Sequence, residues 1–514
     1  MTQVILKRGS LLIGIGLLFC FSARAEVKLP GIFSDHMVLQ RNIATPVWGW
    51  ADPGETVTVS IADQTRTATA DASGNWKLQL GKLAADIPLT MTVAGRNTII
   101  IQDVLVGEVW LASGQSNMQL SVNDVTEAWK EKASATFPQI RMFTVGRRPA
   151  TTPQTNCDGH WVVCAPATVG NFSAAAYFFG RELHQRLGLP VGIVHASWGG
   201  TPIETWTSMP AMQKRPELAP VLKNWEATLH PYDAAKAQAE YLSALETWTN
   251  NSEELKAQGK AVPPMPQKHA DPRMDKNYPA NLFNGMIAPI IPYAIHGAIW
   301  YQGENNTANE LAKLYSVQLP VMIQDWRQRW NEGDFPFAWV QLPNFMKRAT
   351  NAAEFSRWSV VREGMLKSLL VTNTGMAVTI DVGEPGNIHP KNKQAVGHRL
   401  ALWALAKVYD LDIPYSGPLP AGQKINADEI TLAFIHTDGG LVAKGGELKG
   451  FAVAGEDHHW VWANARIEGN QVIVSSPEVS SPKAVRYAWA ANPDCTLFNG
   501  AGLPASPFRT DDWQ

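Results

Sequence analysis

Ser116 stands in the run Ala112-Ser113-Gly114-Gln115-Ser116-Asn117-Met118, directly after the apolar stretch 108–111. That stretch reads as a buried strand, and a serine held between a strand and the next helix is placed as a nucleophile. Gly114 allows a sharp turn there, and the N–H groups of a following helix face developing negative charge. Three later blocks carry complementary groups. In 196–204 (Ala-Ser-Trp-Gly-Gly-Thr-Pro-Ile-Glu), Gly199 and Gly200 let a backbone N–H approach a reacting atom closely. In 300–306 (Trp-Tyr-Gln-Gly-Glu-Asn-Asn), the Asn305 amide can donate to an oxyanion and Glu304 can orient a histidine. In 381–393, His389 follows a strand and precedes a long helix, which suits a general base. The pair His458-His459 reads as exposed loop instead. Each block alone also fits an ordinary turn. Together they describe attack of a serine on a carbonyl, with a histidine taking the proton and N–H donors holding the oxyanion.

Each of these groups lies on a loop after a strand, so the strands of one domain must position them. From about residue 107 apolar runs alternate with helical stretches. Strands are predicted at 109–112, 141–145, 191–196, 298–301, 337–341 and 376–380, and helices at 174–186, 311–330, 355–369 and 393–408. Such alternation predicts an α/β fold with a doubly wound, mostly parallel sheet, whose strand ends are where sites are built. Before it, residues 26–105 carry short period-two strands separated by Gly and Asn turns, which predicts an N-terminal β-sandwich domain. The α/β domain is expected over 106–414, with a helical insertion at about 206–279 that includes a helix at 233–256. Residues 415–514 read as a C-terminal β-rich domain.

A chain of 514 residues is long enough for two to four domains. Its 44 basic and 46 acidic side chains give a net charge of −2, which supplies no electrostatic reason to expect nucleic acid or an anionic membrane as partner. Residues 1–25 read as a signal peptide: Lys7 and Arg8, an apolar core at 11–21 too short to span a bilayer, and Ala23-Arg24-Ala25 as cleavage site. The expectation is an exported protein, periplasmic or secreted, without membrane attachment after cleavage. Cys20 would leave with that segment, and export makes a Cys157–Cys164 disulfide plausible, although two free thiols fit the spacing equally. No ligand pair at zinc spacing is found, so no metal or other cofactor is expected.

In chain order the blocks run Ser, Gly, Asn, His, and here the sequence resembles the SGNH hydrolases, whose fold is flavodoxin-like. More closely it resembles the sialate O-acetylesterase family. The matching residues are Gly107-Glu108-Val109-Trp110 with 113–118, Ser197-Trp198-Gly199-Gly200-Thr201, 300–306, and Ile388-His389-Pro390 with Lys393. Phe33-Ser34-Asp35-His36-Met37-Val38-Leu39-Gln40 and Gly502-Leu503-Pro504-Ala505-Ser506-Pro507-Phe508-Arg509 look like the family's two ends. The resemblance implies a metal-free serine esterase removing O-acetyl groups from sialic acid. Ser116 would be the nucleophile and His389 the base, with an oxyanion hole from the Ser116 N–H, Gly199 or Gly200, and Asn305. Many SGNH hydrolases carry their triad acid three residues before the histidine, and Gly386 stands there in this chain. Glu304 is then the first choice of acid, Asp381 the second and Glu384 the third, with a Ser-His dyad as the other possibility. Gln115, Trp198, Gln302 and Arg181 are the candidates for holding the sugar, Arg181 as a fork-shaped clamp on a substrate carboxylate, with Trp300 beside them. The other readings are an acetylesterase for acetylated xylan or pectin, and a catalytically dead carbohydrate-binding protein.

Overall fold

The computed structural model describes residues 26–85, 87–229 and 232–513. The expected signal segment, with Cys20, lies outside the described residues.

The sheet that carries the site contains β1 (Thr98–Gly114), β2 (Phe137–Thr144), β3 (Trp161–Cys164), β4 (Val191–Ser197), β5 (Gly297–Tyr301), β6 (Phe337–Gln341) and β7 (Thr374–Val378). Their spatial order is β7-β6-β5-β1-β4-β2-β3. Neighbours are parallel except β2 with β3. The mixed α/β expectation with a large parallel sheet therefore stands, but the flavodoxin-like order does not. That order would set β2 beside β1, whereas β4 holds the position and β2 lies outside it. Burial supplies the reason. Every residue of β4 is buried, so the strand needs a partner on both edges. β2 begins with exposed residues and tolerates a place near the rim, where the short antiparallel β3 closes it.

β1 is 17 residues long and crosses the expected boundary at 105/106 without a break. Its first half pairs antiparallel with Leu89–Ala94, within the N-terminal strands, and its second half lies at the centre of the parallel sheet. Val38–Gln40 adds a parallel contact at Leu105–Gly107. The Ser116 block thus follows the end of a strand anchored in both regions.

The helices that matter here are α1 (Ser116–Gln119), α2 (Ala128–Ala133), α3 (Ala174–Leu187), α4 (Tyr315–Trp330), α5 (Arg357–Lys367) and α6 (Lys393–Lys407). Strand alternation sends Ile299 and Tyr301 into a core with Phe179 and Leu400 from α3 and α6. It sends Ala298 and Trp300 into the opposite core with Leu319 and Trp326 of α4 and Val361 of α5. Burying one such large apolar side chain contributes about 1.5–3 kcal/mol. The expected insertion contains the helices Met209–Gln213, Ala219–Leu229 and Ala234–Ala257. Asp233 caps the last of these, its carboxylate accepting from the N–H groups of Ala235 and Lys236.

From Leu419–Asn426 to Phe508–Arg509 the chain forms small antiparallel sheets around Ile430, Phe451, Val453, Tyr487 and Phe508. Arg362 of α5 rivets this region to the loop after β6. It is fully buried and donates to the carbonyls of Leu342, Pro343, Ala490 and Ala491. The plausible Cys157–Cys164 disulfide is absent, and both thiols are free and buried. Cys157 packs in the core on one side of the sheet and Cys164 in the core on the other. Burial raises both thiols to about 12, so neither is reactive. Among the described residues, no helix is long and apolar enough to cross a membrane.

Candidate active site

Three of the four blocks meet because three strands end in register. Gly114 at the end of β1 pairs with Ser197 of β4 on one side and with Tyr301 of β5 on the other. Gln115 N–H then donates to the Tyr301 carbonyl (2.9 Å), and Trp198 N–H to that of Gly114 (3.1 Å). Gly114 has φ +141°, and a Cβ there would lie 2.1 Å from the Tyr301 carbonyl oxygen, so only glycine lets the strand ends close up. The turn delivers Ser116 as the first residue of α1. Gly199 lies against it: a Cβ on Gly199 would be 3.1 Å from the Ser116 Cβ.

The fourth block is tied in by Asn117. Its Nδ2 donates both to the carbonyl of Ile388 (2.9 Å), next to His389, and to Glu304 Oε1 (2.5 Å). Its Oδ1 accepts from Lys393 Nζ (2.6 Å), which also donates to the Pro390 carbonyl (2.8 Å). Asn117, Glu304 and Lys393 are all buried. Burial raises the Glu304 carboxyl above its ordinary value and brings the Lys393 ammonium down to about 7. Burial and the nearby Lys393 charge together lower the His389 imidazole below its usual 6.5. A neutral imidazole at neutral pH is the form a general base requires.

The candidate oxyanion donors differ in what already engages them. The Gly199 N–H is engaged by Gln119 Oε1 (2.8 Å). The N–H groups of Ser116 and Gly200 make no hydrogen bond to a described residue, and Gly200 is exposed. Asn305 Nδ2 uses one hydrogen on the Gly200 carbonyl (3.0 Å) and keeps a second. The expected contribution from a helix terminus is small, because α1 has only four residues. Neither Ser116 Oγ nor the His389 ring makes a hydrogen bond to a described residue. The Ser–His hydrogen bond that does exist, His195 Nε2 to Ser197 Oγ at 2.5 Å, is sealed inside β4. Burial holds His195 down to about 3.

The acid candidates sit differently from expectation. Asp381 forms a fork with Arg399 of α6 (2.6 and 2.8 Å), and this ion pair fixes the end of β7 to α6 rather than orienting an imidazole. Glu384 accepts from Lys391 N–H and Asn387 Nδ2, closing its own loop. Glu304 meets Asn117 rather than His389, and its Oε2 is buried without a partner.

Several sugar-binding expectations are corrected. Gln115 is buried and its Oε1 accepts from the N–H groups of Gly303 and Asn305, clamping two loops together. Gln302 is fully buried between Thr201, Asn306 and Tyr315. Trp300 is fully buried against Trp206 and Trp326. Arg181 points into the α2–α3 junction, paired with Glu131 (2.6 Å) and packed over Tyr177 and Phe178. Trp198 is partly open and stands directly before Gly199, whereas the partly exposed Arg181 is turned to Glu131.

Sequence reasoning missed two cations on that same wall. Arg147 Cζ lies 5.9 Å from the centre of the Trp198 ring and Lys276 Nζ 5.6 Å from it. Lys276 Nζ donates to the Gly199 carbonyl (2.6 Å). Arg147 follows β2, whose end opens toward the same edge as those of β1 and β4, so the loop after β2 was a place to search. Lys276 comes from the far end of the insertion, and no local pattern marks it.

The chain as a whole is similar to known carbohydrate esterases. A family model described as carbohydrate esterase, sialic acid-specific acetylesterase, matches residues 273–406. The sialate O-acetylesterase of Mus musculus is 30% identical, over 95% of this chain and 95% of its own length. That of Homo sapiens is 29% identical, over 95% and 93%. The crystal structure of a carbohydrate acetylesterase from Xanthomonas citri superposes with a TM-score of 0.81 at 35% identity, covering 95% of this chain and all of the other.

Proposed function

The chain belongs to the sialate O-acetylesterase family, and on that premise we propose that it is an exported serine esterase hydrolysing O-acetyl esters of sialic acids. That it is a carboxylic ester hydrolase acting on acetylated carbohydrate follows from the family itself, and the dead-scaffold reading falls with it. The finer assignment is ours. Export rests on the residues of the N-terminal segment alone.

In the proposed reaction Ser116 Oγ attacks the acetyl carbonyl carbon while His389 takes the hydroxyl proton. The tetrahedral oxyanion is held by the N–H groups of Ser116 and Gly200 and by the second Asn305 Nδ2 hydrogen. Collapse breaks the ester bond, and His389 returns the proton to the departing sugar oxygen. A water deprotonated by His389 then attacks the acetyl-enzyme, releasing acetate and restoring Ser116. Glu304 acts through Asn117, holding the His389 loop in place. Ser116 and His389 close to hydrogen-bonding distance when substrate excludes water, as is common for catalytic pairs. The level ends of β1, β4 and β5, with Asn117 bonded to the Ile388 carbonyl, are the observation that carries this reading.

A second substrate reading, an acetylated neutral polysaccharide, is favoured by the likeness to the Xanthomonas citri carbohydrate acetylesterase. The test is acetate release from 9-O-acetylated sialic acid and from acetylated xylan in parallel, with Ser116→Ala as control. Release from sialic acid, lost in the variant, supports the proposal. Release mainly from xylan keeps the mechanism and overturns the substrate. Failure of a fluorophosphonate to label Ser116 would overturn the nucleophile.

A further inference from the structure

We propose that Arg147 and Lys276 form an anion subsite beside Trp198 that binds the substrate's carboxylate, and thereby select acidic over neutral acetylated sugars. The inference rests on the sialic acid reading and deepens it.

Three observations carry it. First, both cations lie against the one partly open aromatic residue of the site, Trp198, at 5.9 and 5.6 Å from its ring centre. That residue is joined to Gly199, which packs on Ser116, so a sugar ring presented to the nucleophile has this wall beside it. Second, neither cation has a carboxylate partner among the described residues. Most other arginines of the catalytic domain are paired: Arg141 with Asp103, Arg181 with Glu131, Arg329 with Asp325, Arg399 with Asp381. Among the described residues Arg147 makes a single long bond, Nε to the Ser197 carbonyl at 3.4 Å, and its two terminal nitrogens reach no acceptor there. Those nitrogens form the half of the guanidinium that grips a carboxylate with two parallel bonds. Third, one of the two cations is tethered: Lys276 donates to the Gly199 carbonyl (2.6 Å), which keeps its charge beside the Ser116 loop, while Arg147 is exposed and free to turn toward a ligand.

Sialic acid carries one carboxylate, and acetylated xylan carries none. Cations at such a place can offer a neutral sugar only hydrogen bonds to its hydroxyls in exchange for those to water, with no gain from charge. They favour an acidic one, because the site's positive charge is compensated only when the carboxylate is bound.

The test compares N-acetyl-9-O-acetylneuraminic acid with its C1 methyl ester, which has the same acetyl group but no negative charge. The measured quantity is the ratio of kcat/KM, acid over methyl ester, followed by acetate release. The parent chain is expected to favour the acid by about 10- to 100-fold, the value of a charge-assisted bidentate contact. Arg147→Gln should bring the ratio close to one, chiefly through KM on the acid, and Arg147→Glu should lower it further. Because the ratio is taken within each variant, a general loss of fold or rate cancels. Lys276→Met should lower it in the same direction. A parent chain that releases acetate equally from acid and methyl ester overturns the subsite while leaving the sialic acid reading intact. So does an Arg147→Gln ratio equal to the parent's. A parent chain that releases acetate from neither compound but does so from acetylated neutral oligosaccharides overturns the sialic acid reading, and the subsite with it.

Discussion

Replacing Asn117 by alanine removes three hydrogen bonds at once: to Glu304 Oε1, to the Ile388 carbonyl and from Lys393 Nζ. Two of them engage ionisable groups, each contributing about 1.5–3 kcal/mol, and the third about 1 kcal/mol. The plain sum reaches about 7 kcal/mol, but the truncated amide leaves room for a water that restores part of it. The cost then falls near about 3–5 kcal/mol, the range for breaking a buried charged network by removing one partner. For a domain of this size that corresponds to a Tm lower by about 10 °C. Activity should fall further than stability implies, because the Ile388 tether holds the loop of the catalytic base. A displacement of about 1 Å in a reacting group costs roughly 10²-fold in rate. The assay is p-nitrophenolate release from p-nitrophenyl acetate well below the variant's own Tm, beside thermal denaturation followed by circular dichroism. Combining Asn117→Ala with Glu304→Gln should give a coupling of about 1–3 kcal/mol, since the two side chains share a bond. An Asn117→Ala chain with the kcat and Tm of the parent would refute the claim that this network positions His389. Strict additivity with Glu304→Gln would refute the link between the two residues.

The pH dependence follows from His389, which must be neutral to accept a proton. Burial and Lys393 lower its pKa, so the acidic limb of kcat/KM should lie below pH 6.5. Lys393→Met removes a positive charge that disfavours the imidazolium, so the limb should move to higher pH, and an unmoved limb in a pH–rate profile counts against the assignment. Asn305→Ala should reduce kcat by about 10²–10³-fold with folding retained, the value of one oxyanion donor, and a near-parental kcat would remove Asn305 from the oxyanion hole. Arg181→Met should lower the Tm through loss of the Glu131 pair, about 1–3 kcal/mol, without raising KM for acetylated sialic acid. A raised KM at parental Tm would return Arg181 to the substrate site.

What was legible in the sequence was the part encoded locally. Strand ends, glycine turns and the residues after them announce themselves by apolar runs and φ requirements. Thus Ser116, Gly200, Asn305 and His389 could be placed on loops of one sheet, and helices such as Ala174–Leu187 and Lys393–Lys407 were predicted to within a residue or two. Strand order was not legible, because β2 and β4 each present only a short apolar run, and only the burial of β4 on every residue decides which one flanks β1. The roles of the polar residues in the blocks were misread for a related reason. Gln115 and Gln302 look like ligand contacts in a list of letters, yet loops packed this tightly need side-chain amides to satisfy their own backbone. The charges at 147 and 276 escaped notice because one follows an outer strand and the other returns from the insertion, and only folding brings both to Trp198.

The network under His389 bears on what kind of bond such a site can cleave. In a Ser-His-Asp triad the carboxylate that orients the imidazole is worth about 10⁴ in kcat, partly by stabilising the imidazolium that forms. Here no described carboxylate is bonded to His389, and the charge of Lys393 opposes the imidazolium. The proton is therefore accepted by a weaker base, and the barrier must be lowered mainly by oxyanion donors and by fixed geometry. Such a division suits a substrate whose leaving group departs readily. An acetyl ester of a sugar hydroxyl meets that condition, since an alkoxide can begin to leave before His389 has delivered its proton. An amide does not, because an amide anion is too poor a leaving group and its nitrogen must be protonated before the bond can break. The Asn117–Glu304–Lys393 network thus supplies position where a triad supplies charge, and esters are the substrates for which position is enough.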